Sequence, residues 1–399
     1  MAGSRNCGLR VAKTRMRVTH VITRLIVGGA QENTIASVLG LRAKPGVEIN
    51  LISGPTSGPE GSLEHQAAAV PNLLTIVPEL VRAIHPWKDA LAYRRLGRLF
   101  REKRPQIVHT HSGKAGILGR LAAAKVGVPV IVHSIHGPSF GVFQGWLPNL
   151  AFRAAERYAG RFTTHFVAVA NAMIEQYLDA GISRREHYTR IFSGFALEPF
   201  LAASHDSKLR ARLGLAETDF VVGKIARLFK LKGHDDLFSV ASRLVKACPR
   251  MKFLLVGDGA WRARFEQRLR DSGLEKHVVF TGLVPPDAIP PLIGIMDVLV
   301  HLSRREGLAR ALPQALAAAR PVVAYDCDGA REVCIENETG FLVGPGDLET
   351  LVQRLLQLAE DGALRERLGR RGQALATEHF PVAKMVDAQY DLYLKLLKR

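Results

Sequence analysis

Cysteine is scarce in this 399-residue chain: Cys7, Cys248, Cys327 and Cys334 are the full complement, with no C-x-x-C pair among them. That excludes a disulfide scaffold, gives no support for a zinc site, and points to a reducing compartment. Long apolar runs are missing too. None approaches the roughly 18 residues expected of a membrane-spanning helix, and the N-terminal segment lacks the apolar centre of a signal peptide. No acid precedes Glu32, whereas Arg5, Arg10, Lys13 and Arg15 crowd the start, so residues 1–16 read as a flexible basic tail with Met16 as a natural start. Neither G-x-G-x-x-G nor a P-loop occurs, which disfavours an NAD-dependent oxidoreductase. What is present is an ordinary globular mixture, 47% apolar and 23% charged, with 55 Lys and Arg against 37 Asp and Glu, or +18. Such a surplus favours anionic partners: nucleotide phosphates, acidic glycans, nucleic acid or an anionic bilayer. No nucleic-acid motif or aromatic–basic interleaving supports the third of these.

The length exceeds what one hydrophobic core usually serves, so two domains are expected. From Arg17 short apolar runs alternate with amphipathic stretches: RVTHVI, a Gly-rich turn, ENTIASVLGL, VEINLIS, then PQIVHTH, VPVIVHSIHG and FVAVA. Strand, turn and helix in this order predict a parallel sheet covered on both faces. Between Trp87 and Lys103, Leu91, Leu96, Leu99 and Phe100 share a helical face away from most of the arginines. After SHDSKLR the pattern restarts with FVVGKIARL, MKFLLVGDG, VVFTGLV, DVLVHLS, PVVAYD and GFLVGPGD. The predicted architecture is α/β with two facing Rossmann-like domains, residues 17–200 and 201–380, and a last helix over 381–399 free to cross back to the first domain.

Parallel sheets bind ligands beyond the carboxyl ends of their strands. Gly28 and Gly29 there precede a helix, where backbone N–H groups can approach an anion. Arg227 and Lys232 follow the first strand of the second domain, and together they can neutralise a diphosphate. Glu306 ends the strand DVLVHL, Gln314 lies eight residues on, and His136 ends VPVIVHSI. The histidines of HTH, His109 and His111, are read as pointing to opposite faces of a strand, which would prevent them from sharing a metal. Asp326 and Asp328 read as loop structure rather than a metal-binding D-x-D.

Taken in order, GGAQENT, HTHSGKAGILGR, IHGPSFG, ARLFKLKG, FTGLV, EGLARALPQALA, PVVA with DGAREV, and GFLVGPGD resemble the motifs of glycosyltransferase family 4 from about Arg17 onward. The resemblance implies the GT-B fold and retaining transfer of a hexose-type sugar from a nucleotide-diphosphate-sugar to an acceptor hydroxyl, with no cofactor and no metal. Carried over by position, Arg227 and Lys232 contact the donor phosphates, and Glu306, with Gly307 and Leu308, meets the donor sugar. His136 faces that sugar from the first domain. Gln314 holds the ribose, Gly282 to Val284 lie near the base, and the Gly28–Gly29 loop closes over the diphosphate. Ser112, Gly113 and Lys114 fall on the acceptor side.

The departures are specific. The family has a second Glu where this chain has Gln314, and a neutral amide offers one acceptor and weaker bonds to a vicinal diol than a carboxylate does. Pro313 demands that its helix begin late or kink. Gly is expected at Ala319 and Ala226, and Asn at Ser193. A GT-B nucleotide-sugar epimerase or hydrolase, or a non-catalytic nucleotide-sugar or glycan-binding relative, would carry much of the same pattern. Phe140, Phe143, Trp146, Leu147, Leu150 and Phe152 with later arginines form either core or an interfacial patch. The patch suits a cytoplasmic protein that docks on the inner face of an anionic membrane to glycosylate a saccharide or lipid-linked acceptor in envelope polysaccharide or glycolipid synthesis.

Overall fold

The computed structural model describes residues 15–56, 58 and 61–398. Cys7 and nearly all of the basic tail lie outside the described residues; Met16 opens the first strand. Among the described residues there are two sheets, parallel throughout, one of seven strands and one of six. The first holds β1 (Met16–Ile22), β2 (Val47–Ser53), β3 (Leu74–Ile76), β4 (Ile107–His111), β5 (Val130–Ile135), β6 (His165–Ala168) and β7 (Tyr188–Arg190). The second holds β8 (Phe220–Ile225), β9 (Met251–Val256), β10 (Val278–Gly282), β11 (Val298–His301), β12 (Val322–Tyr325) and β13 (Gly340–Val343). Their spatial orders are β3-β2-β1-β4-β5-β6-β7 and β10-β9-β8-β11-β12-β13. In each, the chain begins centrally, builds toward one edge, then jumps back to the other side. The order therefore reverses between β1 and β4, and between β8 and β11, and crevices open there beyond the strand ends.

Helices cover both faces, so the central strands are buried on both sides and read as near-continuous apolar runs. In β5 and β11 every residue is buried. The edge strands β3 and β7, three residues each, carry no such run and escape a reading based on apolar segments. The helix Pro86–Lys103 buries Leu96 and Phe100 and leaves Arg94, Arg95, Arg98 and Arg101 exposed.

Polar residues penetrate the first sheet in one place. His109 and His111 sit on β4 two residues apart. Strand side chains alternate with period two, so these histidines share a face, and the expectation that they point opposite ways is corrected on that ground. His20 on β1 stands in register with His109. The three imidazoles offer ring nitrogens within 4.8 Å of one another, all buried. His133 on β5 faces the other side, against Thr110.

The C-terminal helix Val382–Leu397 packs on the first domain. Met385, Val386, Leu392, Tyr393 and Leu396 join the core of Val18, Leu51 and Val132. The chain thus crosses between domains twice, and the crossings touch: Phe195 N donates to Phe380 O at 3.0 Å, and Phe195 bridges Pro381. A Cβ on Gly194 would lie 2.8 Å from Val382 Cα, so only glycine lets the two segments pass this closely.

Candidate active site

The two crevices face each other across one cleft of about 630 Å³. From the first domain come Gly28, Gly29 and Glu32 after β1 and His136 after β5; from the second come Arg227 and Lys232 after β8, Leu283 and Val284 after β10, and His301, Glu306, Leu308, Arg310 and Gln314 on and after β11. The Gly28–Gly29 turn opens the helix Gly29–Arg42, whose first N–H groups lack intrahelical partners. Gly233 ends the loop that carries Arg227 and Lys232; its φ is +69°, and a Cβ there would lie 2.0 Å from Leu302 O. This glycine lets the cationic loop fold down against the end of β11.

Glu306 is the electrostatic centre. Its carboxylate is ion-paired with Lys232, and His301 Nε2 stands 3.6 Å away. Burial pushes the carboxyl upward, but His301 and Lys232 outweigh burial and hold it well below the usual carboxylate range. The backbone is fixed as well: Glu306 N donates to Asp328 Oδ2 at 2.6 Å, and Asp328 Oδ1 accepts from Gln176 of the first domain at 2.7 Å. Asp326 is tied to Arg331. The acidic pair thus serves the loop.

His136 is held near 4 by burial and then by the neighbouring Arg310, so it is neutral at neutral pH. Its carbonyl abuts Gly307, where a Cβ would lie 2.1 Å from the oxygen. Arg310 reaches Glu32 of the first domain at 3.2 Å, while its Nε and Nη1 are buried without a partner. Beneath Glu306, the fully buried Lys224 leaves Nζ unpartnered; burial first, then Lys232, lowers its ammonium to about 7.

Gly28, Gly29, His136, Arg227, Lys232, Val284, Glu306, Leu308 and Gln314 are brought together in the cleft wall. Gly282 is set back, accepting from Gly257 N at 3.1 Å to shape the turn behind Leu283. Gly307 packs on His136 rather than lining the space. Ser112, Gly113 and Lys114 are not part of this cleft wall; the Lys114 ammonium is drawn to Asp89 at 2.5 Å and to Ala83 O. Pro313 occupies the first turn of the helix Ala311–Ala317, so that helix starts late. Sequence reasoning missed Glu32, Arg310, His301 and Lys224. All four lie inside segments already read above, GGAQENT, EGLARALPQALA, DVLVHLS and FVVGKIARL, but only the fold shows that Glu32 and Arg310 meet.

Comparisons with known proteins agree with this two-domain architecture. The glycosyl transferase 4-like domain matches residues 28–191, and glycosyl transferases group 1 matches residues 206–375. The chain is 26% identical, over 98% of its length and 99% of the relative's, to the UDP-Gal:alpha-D-GlcNAc-diphosphoundecaprenol alpha-1,3-galactosyltransferase of Escherichia coli. It is 30% identical to the GDP-mannose-dependent alpha-mannosyltransferase of Mycobacterium tuberculosis over 64% of each chain. Among solved structures, Anabaena HepE in complex with UDP and glucose superposes with a TM-score of 0.80 at 24% identity, covering 95% of this chain and 99% of that one. The sucrose-phosphate synthase of Thermosynechococcus elongatus gives 0.81 at 20% identity, covering 96% and 100%. With a 4-like first domain, a group 1 second domain and a two-sheet architecture shared along nearly its whole length, the chain belongs to the GT-B glycosyltransferases.

Proposed function

We propose that this glycosyltransferase moves a hexose-type sugar from a nucleotide-diphosphate-sugar to an acceptor hydroxyl with retention of configuration and without a metal. The observation that carries the reading is the convergence of Arg227, Lys232, Glu306 and His136 on one cleft, although they come from strand ends in two domains. In this reading Arg227 and Lys232 bind the diphosphate and supply the positive charge that a divalent ion would otherwise bring. Arg310, with buried unpartnered nitrogens, adds a third cation, and the Gly28–Gly29 turn closes over the same group. As phosphate draws Lys232 away, Glu306 is freed to accept from sugar hydroxyls, opposite His136. Gln314 holds the ribose, and the base lies along Leu283 and Val284. UDP is the favoured nucleotide, since HepE binds UDP and UDP-glucose and the E. coli relative uses UDP-Gal.

The acceptor hydroxyl attacks from the face that the diphosphate leaves. The bond from the anomeric carbon to phosphate oxygen breaks as the new carbon–oxygen bond forms, through an oxocarbenium-like state, and the departing phosphate takes the hydroxyl proton. The side chains contribute position and electrostatic stabilisation, and removing one such contact typically costs two to three orders of magnitude in rate. Lys232→Ala and Arg227→Ala are expected to lose about that much (~100- to 1,000-fold); unchanged turnover with the correct donor sinks this mechanism. Nucleoside diphosphate should appear in proportion to glycosylated acceptor, with the donor's anomeric configuration kept. Turnover without acceptor would mean an epimerase or hydrolase, and binding with no turnover across a donor panel would mean a non-catalytic relative.

The acceptor we propose is lipid-linked, in envelope polysaccharide or glycolipid synthesis, with the enzyme held at the inner face of an anionic membrane. Trp146, Leu147 and Leu150 lie exposed at the start of the helix Trp146–Gly160, and Ile84 and Trp87 at the start of the helix Pro86–Lys103. Both helices follow strands of the first sheet, β3 and β5, and so begin on the side of the strands' carboxyl ends. Phe140, by contrast, is core. Arg305 joins that side of the first domain to the second, donating to Pro138 O at 2.5 Å and lying over the Phe143 ring. No helix among the described residues is long and apolar enough to cross a membrane. Sedimentation with phosphatidylglycerol vesicles at low salt tests the docking, and no binding there removes the membrane from the proposal.

A further inference from the structure

Six side chains form an unbroken hydrogen-bonded chain from the sheet interior to the cleft. Ser134 Oγ lies 2.7 Å from His109 Nε2, and His109 Nδ1 lies 2.5 Å from Tyr393 Oη. Tyr393 Oη is 3.2 Å from His20 Nε2, His20 Nδ1 is 2.9 Å from His111 Nε2, and His111 Nδ1 is 3.0 Å from His136 Nε2. All but His136 are buried, and His136 lines the cleft. Every ring nitrogen of His20, His109 and His111 is engaged in this way, so the three imidazoles serve one another and leave none free for an ion.

A neutral imidazole carries one N–H and one lone pair, so the direction of one link dictates the next. Tyr393 sets that direction. Its oxygen holds one proton and touches two ring nitrogens at unequal distances. A hydroxyl donor makes the shorter bond, whereas N–H···O bonds sit at about 2.9–3.0 Å; a neutral His109 can accept from only one of its two hydroxyl neighbours, and the 2.5 Å contact to Tyr393 is shorter than the 2.7 Å contact to Ser134. The phenol therefore donates to His109 Nδ1 and accepts from His20 Nε2–H. His109 Nε2–H then donates to Ser134. His20 Nδ1 accepts from His111 Nε2–H, and His111 Nδ1 accepts from His136 Nε2–H. The remaining nitrogen of His136, Nδ1, keeps its lone pair. Burial keeps the members neutral, lowering His20 to about 3 and His136 to about 4.

We infer that Tyr393, His20 and His111 are positioning residues that hold His136 as the Nε2–H tautomer, so that Nδ1 presents a hydrogen-bond acceptor to a hydroxyl of the donor sugar. The inference rests on the placement of His136 beside that sugar proposed above. It makes the C-terminal helix, distant in sequence from every cleft residue, part of the apparatus that prepares the donor site.

The test is long-range ¹H–¹⁵N correlation on the imidazole of His136 in the labelled, ligand-free full chain. The proton is expected on Nε2 in the wild type. Tyr393→Phe keeps the ring packing and removes the group that orders the chain, and His111→Leu cuts the link next to His136. Each should give a mixture of tautomers and raise the donor KM about 5- to 10-fold, the size of one lost hydrogen bond, with the acceptor KM unchanged. A wild-type proton on Nδ1 overturns the inference. So does a tautomer ratio unmoved in both variants, because a merely structural role would lower the thermal midpoint without shifting that ratio. If the tautomers behave as expected but the wild type transfers no sugar from any nucleotide-sugar, the functional reading fails while the chain stands.

Discussion

Acidification should unfold the first domain before the second, and the buried histidines give the size of the effect. In the first domain His20 is lowered to about 3 by burial and His136 to about 4 by burial and then Arg310. His109, His111 and His133 are likewise held well below 6.5, burial being the largest cause for each. In the second domain His234 is lowered to about 2, again chiefly by burial, and His301 is lowered for the same leading reason. These folded-state values lie below the unfolded value. Between pH 6.5 and the folded pKa, the unfolded chain therefore binds protons that the folded chain refuses, and stability falls as pH falls.

From pH 7 to pH 5, each histidine kept neutral on folding costs about 2 kcal/mol, given an unfolded pKa of about 6.5. The first domain, with His20, His109, His111, His133 and His136, stands to lose on the order of 10 kcal/mol, and the second about 2 through His234, with His301 adding to that in the same direction. Whole-domain stabilities are typically about 5–15 kcal/mol, so the first loss is decisive and the second is not. Carboxylates blur the result little, because Glu306, whose folded pKa is depressed, withdraws its contribution only as pH falls below about 4.5. Urea titrations by circular dichroism at pH 7, 6 and 5, with hydrogen exchange to resolve the domains, measure this. A urea midpoint unchanged from pH 7 to 5 would refute the reasoning, as would loss of protection in residues 220–343 ahead of residues 16–190.

Three further outcomes follow from single contacts. Gln314→Glu restores a carboxylate toward the ribose diol, and the donor KM should fall several-fold, matching about 1 kcal/mol, in initial-rate assays; an unchanged KM would place the ribose elsewhere. Ala319 holds φ +53°, a left-handed conformation costing an L-residue about 1–2 kcal/mol, so Ala319→Gly should raise the urea midpoint by up to about 1 kcal/mol of stability. Arg120 Nη2 and Glu156 Oε2 pair at 2.6 Å with both side chains fully buried. Glu156→Ala would strand the guanidinium and cost about 3–5 kcal/mol in the same assay.

Much of the site was legible because parallel sheets place function at strand ends, and the runs RVTHVI, FVVGKI and DVLVHL mark those ends. That rule draws attention to Arg227, Lys232, Glu306 and His136, and the family resemblance is what gives them their roles. Tertiary approach is what sequence cannot supply. Glu32 and Arg310 are 278 positions apart by their numbers and meet at 3.2 Å, and Lys114 pairs with Asp89. The histidine face was recoverable: period two puts His109 and His111 together, and the in-register neighbour His20 completes the cluster. Tyr393 was not, since nothing in the last helix marks its hydroxyl as aimed into that cluster.

The double crossing near Phe195 and Phe380 bears on how the cleft works. Two adjacent strands of backbone, bonded at 3.0 Å, join the domains along one edge. Away from that edge the polar contacts between the domains include Arg310 to Glu32 at 3.2 Å, Arg305 to Pro138 O at 2.5 Å, Gln176 to Asp328 at 2.7 Å, and Glu332 to Ala172 N at 3.2 Å and Arg190 at 3.3 Å. Admitting a donor by rotation about the crossing edge requires parting these, and reclosing brings His136 of the first domain back against the Glu306–Gly307 loop of the second. Tyr393 does not travel with the second domain in such a motion. Its helix follows the second crossing and is packed in the first-domain core with His20 and His109. The acceptor nitrogen of His136 is therefore prepared before closure, by a chain that lies wholly on one side of the hinge, whereas the pairing of Glu306 with Lys232 is prepared wholly on the other. Closure then has to align the two halves, while the donor phosphate parts Lys232 from Glu306.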